Sequence, residues 1–267
     1  MDFGLYGGGA VSASWITRLP GLATRLGPVA ASSYRVASRI VNSLRAGHPV
    51  KDCTEFDGCR LLLVSVPGAA LAETVARLDE SEIGWAGKVV LLCNPGPGSR
   101  ALDPLRERGV ATGSLSPVDG SPGRYVAEGD AAALREARHL VHDLRGRTAE
   151  LNRGGTALYG AGLSLATSLF TPLVAASVDA LRKAGCNSTA AAHIAEALFE
   201  RSLRGWLHAG KKSWAGPLPE GDQAEICRQM EALARHDPRA ARYYRDAAAF
   251  ALEYFERHPD VLKQLRK

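Results

Sequence analysis

The first half of the chain alternates short apolar segments with amphipathic ones, and this alternation limits the folds that the chain can adopt. Six segments resemble buried strands, namely residues 3–6, 29–32, 61–66, 89–93, 110–115 and 125–128. Five segments have helical spacing of apolar residues, namely 10–18, 34–44, 69–78, 102–108 and 131–144. Strands separated by helices cannot form hairpins, so they pair in parallel and the helices cover the sheet. We therefore predict the α/β class, with a doubly wound, mainly parallel Rossmann sheet over residues 1–152.

The second half has no strand signals after Gly154 and Gly155, and we predict an all-helical domain over residues 153–267. Breaks between its helices are expected at residues 185–187, 214–222 and 237–238, where Gly, Pro and Asp are frequent. Residues 157–183 form one long apolar segment, in which Pro172 predicts a kink. Because this helix is apolar on most faces, we expect it to be buried. We also expect two copies of the chain to form a homodimer through the helical domain, since pairing would cover the remaining apolar surface.

Composition excludes several classes of protein. With 46% hydrophobic and 23% charged residues among 267, the chain has the composition of an ordinary globular protein, and we find no membrane span. The first residues show no secretory signal, so we expect a cytoplasmic location. The five cysteines form no Cys-x-x-Cys pair and the seven histidines show no ligand spacing, so we predict free thiols and no metal site. No basic run with interleaved aromatic residues indicates nucleic-acid binding.

A glycine-rich turn follows the first predicted strand. Gly7 allows a tight turn and Gly9 a close approach of a pyrophosphate, which the amides of Ala10 and Val11 then bind at the start of a helix. The third position of the dinucleotide fingerprint holds Ser12, which is small enough for close helix packing. The alternative is a glycine-rich turn that no longer binds a ligand.

The end of the second predicted strand indicates which dinucleotide binds. NAD-preferring sites carry Asp or Glu here for the ribose 2′-hydroxyl, whereas this chain has Ser32, Ser33 and Arg35 and no acid. A guanidinium binds phosphate through two hydrogen bonds, so we predict the cofactor NADP rather than NAD. The alternative is that Arg35 and Arg39 form only an exposed basic helix face.

The ends of the later strands suggest the substrate side of the site. Val66 and Pro67 are expected beside the nicotinamide, and Asn94 could hydrogen-bond a carboxamide or ribose, although turn formation alone also explains its loop. Ser116 follows the fifth predicted strand, and we expect Ser116, Tyr159 and Asn94 to be the catalytic polar groups near the substrate. Tyr159 stands at the start of the long helix and is the best phenolic donor.

Two further segments have both a functional and a structural interpretation. Small and hydroxyl-bearing residues recur on one face of the long helix, where they either line a cleft or permit close packing: Gly160, Ser164, Thr167, Ser168 and Thr171. The Gly- and Pro-rich segment 211–222 either covers a site or forms a turn in which Asp222 caps the next helix.

In combination, these motifs resemble the family that joins a Rossmann-like, NADP-oxidoreductase-type domain to a helical domain of unknown function. The resemblance rests on segments 7–10, 114–117, 158–161 and 214–217 and on Gly221-Asp222. Pyrroline-5-carboxylate reductases and the 6-phosphogluconate dehydrogenase group share this architecture. The resemblance implies hydride transfer between NADP and a small carbonyl or imine held between the two domains, and a dimer formed by the helical domain.

The chain departs from the pattern of this family at four positions. Family members usually carry His at the positions of Ser116 and Gly160, Asn at Ser168 and Arg at Glu220. Imidazole is the side chain best suited to proton transfer near neutral pH, so its loss weakens the prediction of reductase chemistry. The alternative is a non-catalytic dinucleotide-binding or assembly protein.

Overall fold

The computed structural model describes residues 3–8, 24–94, 96–118 and 120–266. The chain divides into two compact units, Met1–Leu163 and Ser164–Lys267. The first unit contains an eight-stranded sheet and the second is helical. The class predicted from the sequence is therefore confirmed, while the domain boundary at residue 152 stays a prediction.

The sheet has the strand order β3-β2-β1-β4-β5-β6-β7-β8. Neighbouring strands are parallel except for β6 and β7, which are antiparallel, so β7 and β8 run opposite to the others. The strands are β1 (Phe3–Gly7), β2 (Leu26–Ala30), β3 (His48–Pro49), β4 (Leu61–Ser65), β5 (Val89–Leu92), β6 (Ala111–Pro117), β7 (Arg124–Gly129) and β8 (Arg147–Glu150).

The expected strands all occur, with three differences. The strand expected at residues 29–32 lies at Leu26–Ala30, so Ser32 follows it by two residues. Strands β3 and β8 were not predicted. They lie at the two edges of the sheet and are largely exposed, so neither has the apolar run that marks a buried strand.

Helices cover both faces of the sheet, because successive side chains of a strand point to opposite faces. In β4, Leu61 and Leu63 pack in one core cluster, and Leu62 and Val64 pack in the other. Helices α1 (Tyr34–Leu44) and α4 (Ala131–Asp143) contribute to the first cluster, and α2 (Gly68–Asp79) to the second. A short helix, α3 (Asp103–Glu107), lies between β5 and β6. The helix expected at residues 10–18 lies outside the described residues.

The long helix was predicted to kink at Pro172, but it is interrupted before this residue. The predicted position of the interruption was therefore wrong. Helix α5 (Thr156–Ala166) ends before residues 167–169, and α6 (Phe170–Lys183) begins after them. Pro172 has no N–H and its ring would clash with the carbonyl four residues earlier, so the interruption falls one turn before it. The hydroxyl groups of Ser168 and Thr171 donate to backbone carbonyls of the preceding turn, at 3.3 and 3.0 Å.

The helical unit continues with α7 (Ser188–Ala209), α8 (Pro217–Glu220), α9 (Gln223–His236), α10 (Pro238–Tyr254) and α11 (Pro259–Leu265). Its small core combines residues of α9, α10 and α11: Ile226, Ala248, Leu252, Val261 and Leu265. The helix breaks predicted at residues 185–187 and 237–238 are confirmed, whereas the expected loop at residues 214–222 contains α8.

Segment 211–222 packs against the end of α10 and the start of α11. The Trp214 ring lies 4.6 Å from that of Phe255, between centroids, and the His258 ring nitrogen Nε2 lies 2.8 Å from the Pro219 carbonyl oxygen. Asp222 caps α9 by accepting a hydrogen bond from the amide of Glu225 at 3.0 Å. The described contacts of this segment are therefore those of a structural corner in the helical unit.

The expected burial of the long apolar helix is not found within this chain. No residue of α5 or α6 is buried, and Leu158 is 80% exposed. The stretch Thr156–Lys183 has a mean hydropathy of 1.5 over its most apolar 18 residues, which corrects the expectation that no segment is long and apolar enough to span a membrane. Length and composition alone are weak evidence for such a span.

Candidate functional site

The glycine-rich turn leaves the sheet where the direction of chain progression reverses. Strand β1 lies between β2 and β4, with Gly7 paired to Ser65 and Tyr6 to Ala30. Open parallel sheets bind ligands at such a switch point, outside the carboxyl ends of the strands. The predicted pyrophosphate residues Gly9, Ala10 and Val11 lie outside the described residues.

Gly8 comes very close to the loop after β4. Its amide donates to the carbonyl oxygen of Ser65 at 2.9 Å, and a Cβ atom at this position would stand 2.9 Å from Cδ of Pro67 and 3.4 Å from Val66. Such a distance to the ring is shorter than van der Waals contact, so the approach requires glycine. The two turns at the switch point are therefore packed with no room for a side chain between them.

At the end of β2, the predicted 2′-phosphate residues surround the start of α1. Ser33 is the N-cap, and its hydroxyl accepts from the Val36 amide at 3.4 Å. Ser32 and Arg35 are exposed, and the first turn of α1 has no acidic residue. These three residues are therefore grouped and accessible at one strand end.

Lys51, which no sequence pattern indicated, lies at the same place. Its Nζ lies 5.5 Å from the centroid of the Tyr34 ring, because the Val50 amide donates to Val29 at 2.9 Å and aligns the end of β3 with that of β2. Lys51 was missed because β3, the edge strand that precedes it, has only two residues and was not predicted. Lys51 adds a second cation beside the Ser33 cap.

Asn94 binds the protein backbone at the carboxyl ends of β4 and β5. Its Oδ1 accepts from the Val66 amide at 3.2 Å, and its Nδ2 donates to the Val66 carbonyl oxygen. Asn94 is 6% exposed and Val66 2%. The side chain predicted to bind ligand thus joins two strand ends. Pro67, the residue before α2, is the N-cap of that helix and makes no side-chain hydrogen bond to it.

The residue before Asn94 is a thiol, Cys93. It is 2% exposed, and burial raises the pKa of its thiol far above the ordinary value. Cys93 therefore stays protonated near neutral pH and is a poor nucleophile.

Ser116 and Tyr159 lie in elements that border the loop after β5, of which we consider residues 96–99. The β5–β6 pairing ends at Leu92–Ser114, so Ser116 is two residues past it, as Asn94 is. A Cβ on Gly98 of this loop would stand 2.6 Å from Oγ1 of Thr156, in the first turn of α5. Tyr159 follows in the next turn and is half-buried.

A second missed residue, Glu128, lies under the same loop. It is 1% exposed and stands on β7 opposite Ser114. Its carboxylate accepts hydrogen bonds from the backbone amides of Ser99 and Gly154. A strand pattern carries no sign that an acidic residue will be buried, so sequence reasoning had no means to find it.

In residues 3–8, 24–94, 96–118 and 120–266, no three His, Cys, Asp or Glu residues are grouped closely enough to hold a metal ion.

Comparison with protein families gives one match. Residues 124–250 match the family described as a domain of unknown function, DUF2520. The matched region begins at β7 and ends within α10, which is less than half of the chain. No curated protein sequence matches the chain.

Several solved structures have a similar fold. A Bacteroides fragilis protein provisionally named an NADP oxidoreductase has a TM-score of 0.70 at 15% identity, over 92% of this chain and 95% of its own. An imine reductase variant from Myxococcus stipitatus in complex with NAD⁺ has 0.67 at 14%, over 100% and 99%. A reductive aminase from Aspergillus terreus in complex with NADPH and ethyl-5-oxohexanoate has 0.56 at 16%, over 99% and 90%. At such identities these similarities establish the fold alone.

Proposed function

We propose that the chain is an NADP-dependent oxidoreductase that transfers hydride to a small carbonyl or imine. The observation that carries this proposal is the glycine turn at the switch point, where Gly8 packs against Pro67 without room for a side chain. The similar structures include an imine reductase variant with NAD⁺ and a reductive aminase with NADPH, which supports a nicotinamide dinucleotide as the ligand.

The residues at the switch point fit a dinucleotide. Gly7, Gly9, Ala10 and Val11 would bind the pyrophosphate, as expected for a fingerprint that follows the first strand. Val66 and Pro67 would border the nicotinamide, and Asn94 would hold them in place through its two hydrogen bonds to the Val66 backbone.

The groups at the end of β2 favour NADP. Ser32, Ser33 and Arg35 would bind the 2′-phosphate, and Lys51 would add a second positive charge. The absence of an acid from the first turn of α1 removes the usual partner of an NAD ribose.

A calorimetric titration with NADPH and NADH tests this cofactor assignment. Charge-assisted hydrogen bonds contribute about 1.5–3 kcal/mol, so Arg35→Ala should weaken NADPH binding about tenfold or more and leave NADH unchanged. Arg39→Ala, one helical turn later, is the matched control. Equal losses in both variants would indicate only a basic helix face, and equal affinity of the wild type for both cofactors would refute the assignment.

On the substrate side, bound NADPH would supply the hydride. Tyr159 and Ser116 would then donate hydrogen bonds to the oxygen or nitrogen of the substrate, because each lies in an element that borders residues 96–99. General acid–base catalysis is typically worth about 10²–10⁴ in rate, and neither group is an imidazole, so we expect slow turnover.

NADPH oxidation over a panel of oxo acids and cyclic imines tests this step. We expect Tyr159→Phe and Ser116→Ala each to lower the rate further. Brisk turnover that survives both substitutions and is abolished by replacing a histidine would contradict the assignment of these two residues.

A second candidate is a non-catalytic dinucleotide-binding or assembly protein. The observation in its favour is that Ser116 and Gly160 stand where the family that the chain resembles usually carries His. NADPH binding without oxidation of any substrate in the panel would favour this candidate.

We also propose a homodimer formed through the helical unit. The supporting observation is that large apolar side chains of the helical unit are exposed, among them Leu165 at 62%, Leu203 at 61% and Leu207 at 76%. Exposed apolar patches often mark protein–protein or membrane interaction sites. Light scattering should give a mass near twice 28.3 kDa. A monomer would contradict the dimer, and a monomer that sediments with lipid vesicles would favour a membrane instead. The cytoplasmic location stays a prediction.

A further inference from the structure

Glu128 is a buried carboxylate that backbone amides surround. Its Oε1 accepts from the Ser99 amide and, at 3.5 Å, from the Ser114 hydroxyl group. Its Oε2 accepts from the Gly154 amide at 2.9 Å. A buried carboxylate needs such donors, because removing it from water without partners costs several kcal/mol.

No cation of the described chain forms an ion pair with Glu128, in contrast to the acid two residues later. Asp130 pairs with Arg153 at 2.6 Å and with Arg106 at 3.4 Å. The strength of a hydrogen bond from a backbone amide depends strongly on its direction. An ion pair with a flexible guanidinium depends on direction less. Glu128 is therefore suited to fix the positions of two backbone segments.

These two segments belong to different parts of the proposed site. Ser99 ends the segment 96–99, and Gly154 lies two residues before α5, the helix that carries Tyr159. A Cβ on Gly98 would come within 2.8 Å of Oε1 of Glu128 and within 2.6 Å of Oγ1 of Thr156. The loop and the helix start are thus packed tightly over this carboxylate.

We propose that Glu128 is the positioning residue of the substrate side: it holds residues 96–99 of the loop after β5 and the start of α5 in one fixed arrangement. This inference rests on the proposed function for its consequence in catalysis. It leaves the groups assigned to the pyrophosphate and the 2′-phosphate unaffected, because these follow β1 and β2.

Hydrogen exchange of the full-length protein tests the positioning itself. The variant Glu128→Gln keeps the shape of the side chain, but its NH₂ group would face one of the two backbone amides. Because NH₂ is a donor, that hydrogen bond is lost. In Glu128→Gln we expect the peptides covering residues 96–102 and 151–159 both to exchange about tenfold faster or more than in the wild type. In Glu128→Ala we expect a larger increase in the exchange of both peptides. The control is Glu136→Gln, since Glu136 is a partly buried carboxylate on α4 that pairs with Arg60.

Kinetics test the consequence for catalysis. A displacement near 1 Å can cost about 100-fold in rate, so kcat of Glu128→Gln should fall by up to that factor, while its NADPH dissociation constant changes less than about twofold. Failure of the wild type to bind NADPH would refute the proposed function and leave the exchange experiment decisive for Glu128. The positioning role is overturned if either peptide exchanges as in Glu136→Gln, or if NADPH affinity falls as much as kcat.

Discussion

Replacing Asn94 by Ala should destabilise the first unit strongly, because the side chain satisfies both polar groups of a buried peptide. The variant leaves the N–H and the carbonyl oxygen of Val66 without their partner, and Val66 is 2% exposed. An unsatisfied buried group costs about 1–3 kcal/mol, so the two together cost about 2–6 kcal/mol. For a domain of this size each kcal/mol lowers Tm by about 2–4 °C, which gives a decrease of at least about 4 °C.

Differential scanning calorimetry measures this decrease, and Asn42→Ala is the matched control. Asn42 is an exposed residue of α1, where the substitution should change the stability by less than about 0.5 kcal/mol. An unchanged transition in Asn94→Ala would refute the reasoning, since the bonds to Val66 would then contribute nothing and Asn94 would be free to bind a ligand.

Three further predictions follow from packing and burial. Gly8→Ala should weaken NADPH binding at least tenfold in a titration, because its Cβ would stand 2.9 Å from Pro67, and unchanged affinity would place the ligand elsewhere. In the native protein a thiol reagent should modify the half-buried Cys186 and spare Cys93, whose pKa burial raises, as peptide mass spectrometry can check. Asp222→Ala should lower the stability of the helical unit by about 0.5–2 kcal/mol in urea unfolding, and no change would show that its hydrogen bond to α9 contributes nothing.

The predictable parts of the fold are those in which local sequence and burial agree. Strands β4 and β5 are continuous apolar runs because both faces are covered, and α1 has the predicted bounds because Ser33 caps a regular apolar pattern. The edge strands β3 and β8 form through pairing with neighbours, which no local pattern of four residues reveals.

The burial of the long helix was predicted wrongly for a related reason. An apolar pattern indicates that a surface needs a cover, but it does not indicate that the same chain provides the cover. The site shows the same limit, because the bond from Asn94 to Val66 depends on the register of β4 with β5, and the hydrogen bonds of Glu128 join residues far apart in sequence.

Cofactor binding and turnover make separate demands on this chain, and that separation decides how the two candidate functions can be told apart. The groups assigned to the dinucleotide need only shape and hydrogen bonding, which the turn at Gly8 and the bonds of Asn94 supply within the first unit. Turnover also needs a proton for the substrate, and only Tyr159 and Ser116 are assigned to that step. A variant that loses NADPH affinity therefore tests the scaffold, whereas Tyr159→Phe tests the chemistry. If NADPH binds as predicted and no substrate is reduced, the non-catalytic candidate is favoured, a dinucleotide-binding protein built on a Rossmann-like fold.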